Sequence, residues 1–305
     1  MTLTPGAILA WLMLLAAAPL IPGVAAKTTA FLTGRRGAPA WQPYLDLAKL
    51  LRRGLVYSLT STWVLRLSPL LLVATALGAT LFLPLAGERA LLSFSGDAIA
   101  FASLLALGRF GLILGALDTG SSFEGMGASR EATFASLVEP SLFVALAALG
   151  VASHELTLSG MLGAGLWARW SIIAPTMFLL AGSVFVLMLA ECARVPVDDP
   201  TTHLELTMVH EVMVLDHSGA DLAIIQYANA VKLGAFTAII TALLLPNAVR
   251  TGIMAPLWLL LAMILSGVGI GLVESSVARL RLPKVPLYIA SGGALAFLGL
   301  ILVLQ

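Results

Sequence analysis

The chain has 305 residues, of which 59% are hydrophobic and 11% charged. Water-soluble domains carry roughly a quarter charged residues, so this much apolar surface excludes a soluble fold and calls for a bilayer. The net charge of +1 argues against nucleic acid as a partner, and the single cysteine, Cys192, excludes an internal disulfide framework and a self-contained iron–sulfur cluster, which takes about four thiolates.

Apolar stretches of about 20 residues, the length that crosses a bilayer, recur along the whole sequence. They fall at 3–26, 68–86, 98–117, 133–152, 172–189, 223–246, 253–273 and 285–304. The predicted class is therefore an all-α, polytopic membrane bundle of about eight transmembrane helices with no soluble domain. The first stretch lacks a basic N-terminal flank, so it is read as a span and not as a cleaved signal peptide.

The connector 27–67 is dense in positive charge: Lys27, Arg35, Arg36, Lys49, Arg52, Arg53 and Arg66. After a Gly/Pro turn it offers a short helix with Tyr44, Leu47, Leu51 and Leu55 on one face. Such a helix suits an anionic lipid surface or a docking platform for a peripheral subunit. Arg109 lies inside the third stretch. In the connector 118–131, Gly125-Met-Gly127 is no dinucleotide fingerprint, because no strand precedes it. Ser129 reads as a helix start, with Arg130 and Glu131 in its first turn. Glu139, between Val138 and Pro140, is thereby carried into the bilayer, as a proton relay or as the ion-pair partner of Arg109 or another buried base.

The connector 191–218 is the richest. Glu191, Arg194, Asp198, Asp199 and Glu205 follow the fifth span directly, and Pro196 and Pro200 prevent a regular helix there. Ionisable groups at or near hydrocarbon depth are costly and mark functional sites. Asp199 or Thr202 can cap a following helix. His203, Thr207, His210 and Val214 share one of its faces, with Glu205 among apolar residues, either exposed to a cost or closing a capping box from Thr202. The histidines lack metal-ligand spacing and are read as interface or surface residues; no metal site is expected. Lys232 lies inside the sixth apolar stretch, and Glu274 opens the connector 274–284.

Alternating the spans with 27–67 in the cytoplasm gives the cytoplasmic connectors twelve of the 17 Lys and Arg residues. Only Arg89, Arg169 and Arg250 fall outside, and Arg109 and Lys232 fall within spans. This satisfies the positive-inside rule and puts both termini on the external side.

Several motifs in order carry a family resemblance: Gly34-Arg-Arg-Gly37 with Gln42-Pro43 and Asp46-x-x-Lys49; Gly127-Ala-Ser-Arg-Glu131 with Glu139; Ala190-Glu191-x-x-Arg194-x-Pro196-x-Asp198; and Ser218-Gly219. Over nearly its whole length the chain resembles the membrane subunit shared by respiratory complex I (its subunit 1, the quinone-site subunit) and the energy-converting NiFe hydrogenases such as formate hydrogenlyase. It departs from the quinone-reducing branch at Thr201 and His203, where that branch has acids, and at Asp216-His217-Ser218-Gly219, where it has Glu-Tyr-Ser-Gly. Asp199-Pro-Thr-Thr-His-Leu-Glu-Leu-Thr-Met208, Leu117-Asp-Thr-Gly120 and Glu274-Ser-Ser-x-Ala-Arg-Leu-Arg-Leu282 are similar to the hydrogenase branch.

The resemblance implies a non-catalytic, membrane-anchoring and energy-coupling subunit of a multisubunit complex in a prokaryotic inner membrane. Its partners would be the hydrogenase large and small subunits, an iron–sulfur subunit and antiporter-like membrane subunits. The iron–sulfur clusters and the NiFe centre would sit in those partners, with no cofactor in this chain. Arg35, Arg36, Gln42, Asp46, Lys49, Arg130 and Glu131 would dock the peripheral arm. Glu139, Glu191, Arg194, Asp198, Asp199, Glu205, Arg109, Lys232 and Glu274 would form the path for protons, or sodium ions, or the coupling switch. Two alternatives stay open: a quinone-binding subunit of an NADH dehydrogenase-like complex, with a lipophilic tunnel between the amphipathic helix and the acidic loop, and an independent secondary transporter, although no internal repeat is evident.

Overall fold

In hydrocarbon a backbone N–H or C=O finds no water, so long apolar runs satisfy their polar groups as helices. The structure, a computed structural model, describes residues 4–163, 166–167, 170–198, 208–245 and 254–305, and contains no strand among them. Seven helices are long and apolar enough to span a membrane, and a bent pair makes the eighth. The chain is an all-α multi-pass membrane helix bundle.

The bent pair is α1 (Pro5–Ala17) and α2 (Leu20–Leu32), which meet at 43°. Thr4 caps α1 by accepting the Ala7 N–H, and Pro19 marks the break that the sequence expectation of one continuous span misses. The amphipathic helix α3 (Gln42–Leu51) follows; Leu55 lies beyond its end and so outside the predicted stripe. Next come α4 (Trp63–Thr80), α5 (Asp97–Asp118), α6 (Ser122–Ser153) and the short α7 (Leu158–Met161). Helix α6 starts at Ser122 rather than at Ser129, so most of the predicted loop 118–131 is helical. The reason lies in the turn before it: Gly120 has φ +71°, which lets the chain reverse tightly and restart at once.

The second half comprises α8 (Trp170–Glu191), the one-turn α9 (His210–Met213), α10 (Gly219–Leu244), α11 (Ala255–Ser276) and α12 (Val285–Leu304). Helix α10 is the axis of the bundle. Of its membrane-crossing stretch 83% is buried inside the protein, against 22% for the segment ending in α12. It packs on α3, α4, α8 and α11, while α12 lies against α6 and α8, and α2 against α11. Without a hydrophobic force between helices in lipid, close contact depends on small residues. Gly271 of α11 illustrates this: a Cβ there would stand 2.7 Å from the Ala25 carbonyl oxygen and 2.7 Å from Thr28 Cβ on α2. Large apolar side chains such as Phe110, Leu257, Leu265 and Phe297 are exposed on the outside, as a lipid-facing surface requires.

Polar contacts tie the basic connectors to one another. The Asp118 carboxylate accepts the backbone N–H groups of Thr62 at 2.7 Å and Leu65 at 3.1 Å, and the Thr62 hydroxyl at 2.7 Å, anchoring the start of α4. Ser218 Oγ accepts the Val56 N–H at 2.9 Å, the Asp216 N–H donates to Glu124 at 3.0 Å, and the Leu280 N–H donates to the Pro196 carbonyl at 3.0 Å. Connectors far apart in sequence therefore share one end of the bundle. The opposite end carries its own contacts, Thr4 to Glu88 at 2.9 Å and Gly96 N–H to the Leu156 carbonyl at 3.0 Å.

Candidate functional site

Arg109 projects from the middle of α5, flanked by Gly108 and Gly111, where α4 comes close, and its side chain is only 5% exposed. A guanidinium there is tolerable only if carboxylates surround it. Three do. Nη1 lies 3.3 Å from Glu139 of α6, Nη2 is hydrogen-bonded to Glu191 at the end of α8, and Nε stands 3.4 Å from Glu131. The Nε contact lacks hydrogen-bond geometry, which leaves a Coulombic pairing with Glu131. Glu191, with a side chain 1% exposed, receives a second cation: Lys232 of α10 lies 3.4 Å from its carboxylate and donates to its carbonyl at 3.1 Å. Among the described residues three carboxylates thus face two cations, an excess of one negative charge if every group is ionised. Glu131 and Glu139 sit eight residues apart on α6, just over two turns, so that both reach one guanidinium.

Past Glu191 the chain leaves helix geometry through Ala193 at φ +49° and the Val195–Pro196 peptide, which is cis. This turn presents two further ion pairs. Arg194 meets Glu274 at 3.3 Å, and Asp198 meets Arg279 at 2.8 Å. Asp198 Oδ2 also accepts the N–H groups of Val209 at 3.1 Å and His210 at 2.9 Å, serving as the anchor for α9. The pairs set the turn on the connector 274–284.

Between α2, α3, this turn, α9 and α10 lies a cavity of ≈ 290 Å³. Pro19, Pro43 and Leu47 line one side, and Asp46, Arg194 and Asn229 are among its polar groups. His210 stands in its wall, and the Asn229 side-chain amide lies 2.7 Å from its Nε2. Burial, followed by the charges of Lys232 and Arg109, lowers the imidazole pKa to about 3. Burial likewise pushes up the thiol of Cys192, which also lines the cavity.

Several expectations from sequence are corrected. Arg194, the cation nearest Glu191 in sequence, is not its partner: Glu191 meets Arg109 and Lys232, and Arg194 follows a helix end that turns it towards Glu274 of α11. Glu131, expected on the docking surface, is only 13% exposed and lies against Arg109, since α6 continues through it as a helix facing α5. Arg130 is also engaged inward, donating to the Met208 carbonyl at 2.8 Å. Arg35, Arg36 and Lys49 are exposed; Gln42 donates to Asp46 at 2.9 Å, and Asp46 faces the cavity. Asp199, Glu205, Thr202 and the face assigned to His203 and Thr207 lie outside the described residues. Among the described residues no group of three His, Cys, Asp or Glu could hold a metal.

Sequence reasoning assigns His210 to an interface or the surface, and passes over Asn229 and Glu124. A signal exists for Asn229: it and Lys232 are polar residues one turn apart in the middle of a largely apolar helix, which marks a buried polar face that His210 can meet. Glu124 is fully buried, with Oε2 lacking any hydrogen-bond partner.

The NADH dehydrogenase family model matches residues 6–304. The chain is 34% identical over 237 residues to hydrogenase-4 component C of Escherichia coli (strain K12), covering 77% of this chain and 73% of that one. It is 30% identical over 296 residues to formate hydrogenlyase subunit 4 of the same organism, covering 95% of both. To an NADH-quinone oxidoreductase subunit of Paraburkholderia xenovorans (strain LB400) it is 25% identical, covering 65% of this chain and 58% of that one. A chain in a solved structure of the membrane-bound sulfane sulfur reductase, an archaeal respiratory membrane complex, shares the fold with a TM-score of 0.80 at 19% identity, covering 98% of this chain and 99% of that one.

Proposed function

The chain belongs to the NADH dehydrogenase family of membrane subunits, and from that premise we propose that it couples electron transfer in a hydrogenase-type peripheral arm to the movement of protons across the membrane. It is a membrane subunit of a complex I-like or hydrogenase assembly. The hydrogenase branch is favoured by two relatives that match at 30% identity or more, hydrogenase-4 component C and formate hydrogenlyase subunit 4. In this reading the redox centres, iron–sulfur clusters and a NiFe centre, belong to the partners that dock on the basic end.

The observation that carries the proposal is the charge inventory of the buried cluster. Two cations, Arg109 and Lys232, serve Glu131, Glu139 and Glu191. A carboxylate that loses its cation in a low-dielectric site takes up a proton, and the cluster is one proton short of neutrality. The turn 192–198 is held by Arg194–Glu274 and Asp198–Arg279 on the loop side. Electron transfer in a docked arm would shift these loop-side pairs, the turn would move the end of α8, and Glu191 would trade an ion pair for a proton. Glu139, whose side chain is 39% exposed at membrane depth, is the exit towards neighbouring membrane subunits.

The test is to purify the complex through a tag on this chain, identify its partners, and follow proton translocation in vesicles. Glu139→Gln keeps the shape but cannot exchange a proton. The variant complex is expected to assemble with its redox arm and to lose redox-driven proton translocation. Wild-type translocation by the variant, or purification with no redox partner, overturns the proposal.

A second reading has one specific observation in its favour: the ≈ 290 Å³ cavity beside α3 is about the size of the smallest ligand pockets. A quinone head group could enter it. A photoreactive quinone that labels α3 or the turn 192–198, and is displaced by excess quinone, would support that reading over a hydrogenase role.

A further inference from the structure

Resting on the coupling role of the Arg109 cluster, we propose that His210 is the relay through which protons pass from the cavity to Lys232 and Glu191. The cavity and the cluster are adjacent but chemically distinct. One has polar groups open to a ≈ 290 Å³ space, the other has side chains 1% and 5% exposed at Glu191 and Lys232. A proton entering the second from the first needs a titratable group near both, and His210 lines the cavity while its ring bonds Asn229, one turn from Lys232 on α10.

Three features fit the imidazole for that task. First, its position is set from the loop side: Asp198 accepts the His210 backbone N–H at 2.9 Å and is itself paired with Arg279 at 2.8 Å. Movement of the connector 274–284 is therefore transmitted to the ring. Second, its ring is held from the membrane side. The Asn229 side-chain amide lies 2.7 Å from Nε2, which leaves Nδ1 as the ring nitrogen not engaged by it. Asn229 Oδ1 is left buried without a partner. Third, Asn229 and Lys232 are three residues apart on α10 and share a face, which puts the ring and the ammonium on the same side of the central helix.

The charged groups facing His210 are Lys232 from α10 and Arg109 from α5, both unfavourable to an imidazolium. Asp198 on the adjoining turn is matched by Arg279. Cys192 and Arg194 of that turn, Asp46 of α3 and Glu211 beside His210 also line the cavity. A ring in this setting holds a proton only in passing, which separates a relay from a store.

The proton step balances without an added reactant. The Lys232 ammonium gives a proton to the Glu191 carboxylate, 3.4 Å away, when Glu191 is released from Arg109. The imidazole takes a proton from hydronium in the cavity water at one ring nitrogen and, as imidazolium, releases one from the other to the amine that remains. One proton has then moved from the cavity to Glu191, and His210 and Lys232 have returned to their starting charge states.

The test is chemical rescue in the assembled complex in vesicles. His210→Ala removes the ring and enlarges the cavity. Redox-driven proton uptake is expected to fall roughly a hundred-fold, the size of a typical general acid–base contribution. Added imidazole should restore it in a concentration-dependent way. Pyrazole, equal in size but a far weaker base, should not. Full proton uptake by His210→Ala, no restoration by imidazole, or equal restoration by both azoles overturns the relay. Should His210→Ala fail to assemble, His210→Gln preserves size and a hydrogen bond to Asn229 but cannot carry a proton; it is expected to assemble and lose uptake, and normal uptake overturns the proposal. Glu191→Gln is measured alongside. If Glu191→Gln loses uptake and His210→Ala does not, the relay alone falls; if neither loses it, the coupling role falls with it.

Discussion

A single guanidinium organises the interior of this protein. Arg109 is held by Glu131, Glu139 and Glu191, and removing one partner from such a buried set typically costs about 3–5 kcal/mol, because it strands the other charge. His210 is a different case, a neutral group kept neutral. Its folded pKa, about 3, lies below the ordinary histidine value of 6.5. Below pH 6.5 the unfolded chain therefore binds a proton that the folded chain refuses, and stability falls as pH drops from 6.5 towards 3. The His210→Gln protein should lose this component. Thermal unfolding in detergent at about pH 7.5 and about pH 5, on either side of the ordinary histidine range, should show a smaller loss of Tm on acidification for the variant than for the wild type. An identical loss would mean that the imidazole is not held neutral by its surroundings.

At the scale of elements, packing is decided by where small residues let helices meet. Helix α11 presents Gly267 and Gly271 to α2, and at both positions a Cβ would fall within 3.0 Å of main-chain or Cβ atoms. Gly269, on the same helix, has only Phe185 at 3.9 Å. Gly271→Ala should therefore destabilise the protein by about 1–3 kcal/mol, the usual cost of overpacking, while Gly269→Ala should be neutral or slightly stabilising because Ala favours helix. Thermal melts of the two variants check this, and equal Tm values would contradict close α2–α11 contact. The existence of these helices is legible in the sequence, since apolar length alone marks a span. Their ends are less so. Ser122 begins α6 because Gly120 permits a tight reversal, and α1–α2 bends at Pro19 within one apolar run. Hydropathy registers neither. The candidate site is legible in part: Arg109, Glu139, Glu191 and Lys232 stand out as charges in apolar surroundings. Of their pairings, that of Glu139 with Arg109 is among those the sequence offers, but the others are not, because Glu131 and Arg109 are brought together by the packing of α5 on α6, and Arg194 is turned away by the backbone after Glu191.

For the whole molecule, the question is how an event at the basic end reaches the middle of the bundle. The exposed Arg35 and Arg36 follow α2 directly, and α2 packs on α11, whose last turn carries Glu274. Like charge across an interface costs several kcal/mol and misdirects docking. Replacing both Arg35 and Arg36 with Glu should leave the protein in the membrane but strip the peripheral arm from it, as judged by co-purification; a full complement of arm would reassign these residues to lipid contact. From that surface the ion pairs Arg194–Glu274 and Asp198–Arg279 lead to the turn after α8, and Glu191 joins the turn to Arg109 and Lys232. The ion pairs on this route are contacts between named groups, and Glu191 is where the turn meets the buried cations. The most direct test is therefore the number of protons taken up per electron by vesicles containing the Glu191→Gln complex. With the arm still assembled, coupled proton uptake should be lost; a ratio and rate equal to the wild type would contradict a coupling role for the cluster.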